Sequence, residues 1–181
     1  KKIVAEIAEF AAKTPYQMPE IQAAAQQFLI YGMSARQAMD SVKKLGDIAA
    51  ISGTSIVELS MLYARAKASG PNSVVGQDLL GMLTNRGIMT KKDIVKEMGL
   101  QSIMQLDRIM SNGGLRWRHI EPIFDRLTEK GGRFFGGMAK QAATFSGLSS
   151  TLFDNVRLIG AGVGQVFLDG AKSFITSAIA I

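Results

Sequence analysis

Cysteine is absent from the 181 residues, which excludes disulfides, thiolate chemistry and cysteine-ligated metal. Histidine occurs once, at His119, and a single imidazole cannot build a zinc site without other ligands. Tryptophan also occurs once, at Trp117, between two arginines. That placement suits stacking on a base, but a lone tryptophan more often anchors a helix onto a core. Proline is scarce at four residues, so few helices are interrupted from within. Long uncharged apolar runs are missing too. The most apolar stretch, 157–181, is broken by Arg157, Asp169 and Lys172, whereas a membrane span needs about 20 apolar residues. No serine or threonine has a base beside it in a recognisable motif, and the acids are scattered or sit at helix starts. The chain is read as carrying no catalytic residues, no cofactor and no metal.

Hydrophobic residues make up 47% of the chain, enough for an ordered core. Ten methionines and many alanines favour helix over strand. The net charge of +6 is spread along the chain, as on a solvated face, rather than blocked as in a nucleic-acid footprint. The chain opens on Lys-Lys and ends in apolar residues, so the expectation is a piece of a longer protein.

Apolar spacing at three and four residues predicts helices almost throughout. Ile3, Ile7 and Phe10 mark a first helix over Lys2–Lys13, broken by Thr14-Pro15. Pro19 suits a first turn, Ile21, Ala24, Ala25 and Phe28 form a face, and Gly32 offers a left-handed stop. Ser34-x-x-Gln37, Ser55-x-x-Glu58 and Ser102-x-x-Gln105 read as capping boxes. Behind them lie the faces Ala38/Val42/Leu45/Ala49, Ile56/Leu59/Tyr63/Ala66 and Ile103/Leu106/Ile109/Met110. Thr90 caps a short helix with Ile94, Val95 and Met98. A helix from Leu115 reaches Glu129, and Gly131-Gly132 turns the chain. Phe145, Leu148, Leu152 and Val156 mark a last inner face. The expected fold is all-α: about eight or nine short helices over 1–156, then an apolar helical extension over 157–181. Small residues at Gly160, Ala161, Gly164 and Ala171 suit that extension to self-association by tight helix packing.

Three motif readings are set aside. Gly70 and Gly76 are spaced like a phosphate loop, but Gln77 and Asp78 stand where lysine and serine or threonine are needed. Gly160-x-Gly162-x-Gly164 lacks a preceding strand and has Gln165 at the sixth position. Asp93–Leu106 has the outline of a DNA-reading helix pair. Its second helix offers only Gln101, Ser102, Gln105 and Arg108, with no cluster to neutralise phosphates. Gly46 inside a helix costs about 1 kcal/mol against alanine, so a close neighbour is expected there. Asp47 beside it has no second carboxylate on its face within a turn, so a capping or structural role is expected rather than a catalytic one.

Several segments in fixed order resemble the conserved domain of phage tail tape measure proteins. They are Phe10-Ala11-x-Lys13-Thr14-Pro15-Tyr16, then Leu45-Gly46-Asp47-Ile48-Ala49-Ala50 with Gly53-Thr54, then Gly76-Gln77-Asp78-Leu79. The last and longest is Thr128-Glu129-Lys130-Gly131-Gly132-Arg133-Phe134-Phe135, followed by Gln141, Ser146-Gly147-Leu148 and Asn155. Ile88-Met89 departs from the family's frequent Val-Pro. The resemblance implies a structural tail protein of a phage, prophage or phage-like particle, acting in assembly and length determination. It implies a place in the tail tube lumen or at the tip, and in the host cytoplasm during assembly. Its implied partners are the tube, a tail-tip or baseplate initiator and assembly chaperones. It also implies a homo-oligomer of threefold or sixfold symmetry, with no specific nucleic acid. A membrane-active module aiding DNA entry is the alternative it leaves open, with membrane contact through the apolar extension.

Overall fold

A computed structural model describes residues 10–11 and 14–144. The chain divides into two compact units, Lys1–Ala142 and Ala143–Ile181, and α1 to α7, named below, lie in the first. The predicted 2–13 helix falls outside the described residues except Phe10 and Ala11, which are helical and pack against the core. The predicted inner face from Phe145 and the apolar extension also lie outside them, as does the expected boundary at 156.

After Phe10 and Ala11, the described residues hold eight helical elements: α1 (Met18–Ile30), α2 (Ala35–Ser52), α3 (Ile56–Ala68), α4 (Gln77–Asn85), α5 (Lys91–Glu97), α6 (Ile103–Ser111), α7 (Trp117–Thr128) and α8 (137–144). There is no strand among the described residues, only an isolated bridge between Val74 and Arg116.

The helices start where side chains can satisfy their orphan N–H groups. The Ser34 N–H donates to Gln37 Oε1 at 2.9 Å, and the Gln37 N–H returns to Ser34 Oγ. Thr90 and Asp93 exchange the same pair of bonds at the start of α5. The other two predicted boxes are observed as half-boxes. Ser55 Oγ accepts the Glu58 N–H at 3.3 Å. Ser102 Oγ accepts the Gln105 N–H at 3.3 Å, but Gln105 Oε1 takes the N–H of Gln101. Between α1 and α2, Gly32 lies at φ +79°, where a Cβ would be strained, and lets Met33 N–H reach back to the Phe28 carbonyl.

α1, α2 and α3 pack on one another; α7 runs against α2 and α5, with α6 beside α5 and α4 beside α3. The predicted faces of α1 and α2 are buried, as are Ile56, Leu59 and Tyr63 of α3, with Ala66 half-buried at its end. One correction concerns the periphery. In α6 only Leu106 is fully buried, and Ile103, expected inside, is 39% exposed. The helix has α5 as its main neighbour, and Met104 beside Ile103 is exposed as well. Trp117 is 1% exposed, so it is the core anchor that a lone tryptophan more often is, not a base-stacking platform.

The core centres on four aromatic rings from three helices. Tyr63 meets Trp117 and Phe124 edge-on, each at 5.0 Å between centroids, and Phe28 at 6.1 Å. Edge-to-face pairs of this kind add to plain burial. Burial first, then the nearby Glu121 carboxylate, pushes the Tyr63 hydroxyl well above its ordinary range. The loop 70–75 stitches the start of α7 onto this core. Trp117 N–H donates to the Ser73 carbonyl, Arg118 N–H to that of Pro71, and Val75 N–H to that of Leu115. Arg116 and Arg118 add side-chain bonds to Asn72.

Candidate functional site

The most closely built local arrangement joins the middle of α2 to the turn that follows α7. α7 ends as Thr128 Oγ1 turns back to the Phe124 carbonyl. Gly131 then takes φ +92°, and Gly132 N–H bonds the Glu129 carbonyl at 2.7 Å. A Cβ on Gly132 would sit 2.4 Å from the Arg126 carbonyl oxygen, so the turn closes tightly on its own helix. Phe134 N–H bonds the Leu127 carbonyl, and the Phe134 ring enters the core. Arg133 lies over that ring, donates to the Ile88 carbonyl at 2.6 Å and faces Asp93 at 3.6 Å. Thus it ties the turn to the α4–α5 connection. Ile88 and Met89, which stand in place of the family's Val-Pro, are both fully buried there.

The next four residues meet α2 side-on. Gly136, at φ +66°, donates its N–H to Asp47 Oδ2 at 3.2 Å, and Met138 N–H donates to Asp47 Oδ1 at 3.0 Å. One carboxylate from α2 thereby caps the N-terminus of α8, where unsatisfied N–H groups and the helix dipole favour negative charge. Between those two donors, Gly137 lies against the α2 backbone. A Cβ there would fall 2.2 Å from the Asp47 carbonyl oxygen. The expected close neighbour of Gly46 is the Met138 side chain, whose Sδ lies 2.5 Å from where a Gly46 Cβ would be. Tyr16, just after Thr14-Pro15, donates its hydroxyl to the Gly46 carbonyl at 3.1 Å. Burial first, then Glu20 and Asp47, pushes that hydroxyl above its ordinary range, so it stays a donor.

The motif residues therefore do not form one cluster. Gly46, Asp47, Gly131, Gly132, Arg133 and Phe134 belong to the joint, and Tyr16, which follows Thr14-Pro15, reaches it through its hydroxyl. Gly53 ends α2 at φ +66°. Gly76 caps α4, with Gln77 exposed as its first residue and Leu79 buried beneath. Asp78, next in line, pairs with Arg65 of α3, which holds its carboxyl below the usual carboxylate range. Lys13, Ser146, Gly147 and Leu148 lie outside the described residues. The reading of the sequence missed Gly136, Gly137 and Met138. A second Gly-Gly pair five residues after the first was the available signal.

His119 is enclosed by two arginines. Its Nδ1 faces the Arg116 N–H and its Nε2 the Arg118 Nε, both at 3.2 Å. Desolvation first, then Arg118 and Arg116, lowers its pKa, with Glu97 opposing. The folded state therefore resists a proton that the unfolded chain accepts near its ordinary pKa of about 6.5. This contribution is full above that pH and is lost as pH falls through the folded value. His119→Asn is expected to flatten the fall in urea midpoint between about pH 7.5 and 5. Parallel wild-type and variant slopes would show that the site does not titrate this way.

Among the described residues, no three acidic or histidine side chains are grouped to hold a metal ion, and no helix is long and apolar enough to cross a membrane. A groove of about 410 Å³ is lined by Leu80 of α4, Met89, Ile94 of α5 and Met110 of α6, and it has no carboxylate in its lining. Among the described residues the fold is an all-helical scaffold whose tightest geometry sets one backbone against another. A family model described as tape measure protein matches residues 1–163, and the chain belongs to that family of phage tail structural proteins. No curated protein and no solved structure matches it.

Proposed function

We propose that this chain is a non-enzymatic docking module of a tape measure protein, acting in tail assembly and length determination. An extended helical chain rises about 1.5 Å per residue and can serve as a ruler. A bundle whose described helices have at most 18 residues cannot be that ruler. The module instead holds the ruler to other tail proteins: the tube, a tail-tip or baseplate initiator, or assembly chaperones. The observation that carries this reading is the joint. Asp47 caps α8 while Gly137 seats against the α2 backbone, so the chain leaves α7 along one fixed path. A fixed path gives the folded body one shape to present to a partner. Threefold or sixfold self-association, in the lumen or at the tip, fits a symmetric tail. The motif residues outside the joint, Gly53, Gly76, Gln77 and Leu79, belong on this reading to the scaffold rather than to a ligand site.

The test is genetic. Internal deletions in helical sequence outside the module should shorten tails in proportion, by about 1.5 Å per residue removed. Deleting residues 1–156 should abolish or misplace tails, as seen by electron microscopy. Tails of normal length and number without the module would overturn the docking role. Flotation of the full-length protein with vesicles would favour membrane activity instead.

A further inference from the structure

We propose that Arg116 and Arg118, both held on Asn72, bind a phosphate group. The two guanidinium groups converge on that one residue. Arg116 Nη1 donates to the Asn72 carbonyl at 3.1 Å, and Arg118 Nη1 donates to Asn72 Oδ1 at 2.6 Å. Both acceptors are neutral. The Arg118 Nε faces His119 Nε2 at 3.2 Å, which adds no negative charge either. Two like charges are thus fixed near each other, an arrangement that an anion between them would relieve. The nearby acids are committed elsewhere. Glu121, one turn along α7, pairs with Lys67 at 2.8 Å, and Glu97, which acts on His119, pairs with Arg126. Among the described residues neither Arg116 nor Arg118 has an ion pair. The helix dipole sharpens the imbalance. Arg116 is the N-cap of α7 and the first turn holds no acidic residue, so cations stand where negative charge is favoured. The backbone amides there are already spent on the Ser73, Pro71 and Arg116 carbonyls, so the side-chain forks must hold the ligand. Those forks are positioned in advance, because the same backbone bonds fix loop 70–75 to α7. Most of their donors are unspent. One fork fills both oxygens of a carboxylate, whereas a terminal phosphate has oxygens for two forks. The ligand class is therefore inorganic phosphate or a phosphate monoester. This is a function separate from docking, since the site lies at the start of α7 and the joint follows its end.

Magnetic resonance of the arginine Nε–H groups in the full chain tests it. Inorganic phosphate is titrated in, with sodium chloride adjusted to hold the ionic strength constant. The Arg116 and Arg118 signals should shift to saturation, with an apparent affinity at least about tenfold tighter than at Arg36 and Arg86. Those two are exposed and also lack an ion pair among the described residues, but no second arginine is fixed beside them. Acetate at the same concentrations should saturate neither signal. Adenosine monophosphate then separates the sources: equal affinity means that phosphate alone is read, and tighter binding means a nucleotide. Arg118→Gln should weaken phosphate binding at Arg116 by about tenfold or more, as loss of a charge-assisted contact does, while Arg36→Gln leaves it unchanged. If Arg118→Gln loosens loop 70–75, Arg118→Lys keeps the charge, lacks the fork and should still bind more weakly than the wild type. Arginine signals that all move alike, acetate acting as well as phosphate, or an Arg118→Gln protein with undiminished affinity would each overturn the site.

Discussion

Replacing Gly137 with alanine should cost about 1–3 kcal/mol, toward the upper end of what overpacking usually costs. The added methyl would fall 2.2 Å from the Asp47 carbonyl oxygen and 3.0 Å from Ile51 Cδ1. A backbone carbonyl inside a helix cannot turn aside as a side-chain tip can, so α8 must back away from α2. That retreat also lengthens the Gly136 and Met138 bonds to the Asp47 carboxylate, so steric and capping losses add. The comparison variants make the cause visible. Gly81→Ala, also within a helix, meets nothing within 4 Å and should stabilise by about 0.5–1 kcal/mol through helix propensity and a less flexible unfolded chain. Gly46→Ala meets the Met138 thioether, a flexible end that can shift, so gain and loss should nearly cancel. Urea unfolding followed by circular dichroism measures all three. A Gly137→Ala protein as stable as the Gly81→Ala protein would mean that the joint is loose.

That contrast shows what the sequence made legible and what it hid. Burial faces were readable because helix contacts recur every three or four residues, so Ile21, Ala24, Ala25 and Phe28 declare themselves. Helix starts were readable because a capping pair such as Ser34 and Gln37 lies within one turn. Gly46 announced a close neighbour by being costly where it stands. What approaches it is Met138, far along the chain, and no local rule names a residue at that distance. Local rules also overreach at the periphery. Ile103 has the right spacing for an inner face, yet its helix has too few neighbours to cover its first turn. The half-boxes at Ser55 and Ser102 show the same limit, since the pattern admits a reciprocal bond without requiring it. The joint was half legible for a like reason. Gly131-Gly132 stood out as a turn, whereas Gly137 looks like any flexible glycine until the α2 backbone is placed against it.

The second large effect should come from the centre of the core. Phe124→Ala is expected to cost about 3–5 kcal/mol, as truncation of a buried aromatic generally does. Phe124 is fully buried and its ring sits between Tyr63, edge-on at 5.0 Å, and Trp117 at 6.1 Å. Its loss leaves a cavity bordered by two rings anchored in different helices, and neither can collapse into it without abandoning its other partners. Tyr63→Phe isolates the polar part. It keeps the ring and removes only a long 3.4 Å bond to Glu121, whose carboxylate still pairs with Lys67 at 2.8 Å. Its expected cost is under about 1 kcal/mol, near the net worth of an ordinary hydrogen bond. The lone Trp117 reports both directly, since it is buried beside both rings and its emission should shift to the red on unfolding. If Tyr63→Phe destabilised as much as Phe124→Ala, the cluster would owe its strength to the hydroxyl network rather than to ring packing. The aromatic rings would then be filling space around a polar anchor, and α3 would be held to α7 through Glu121.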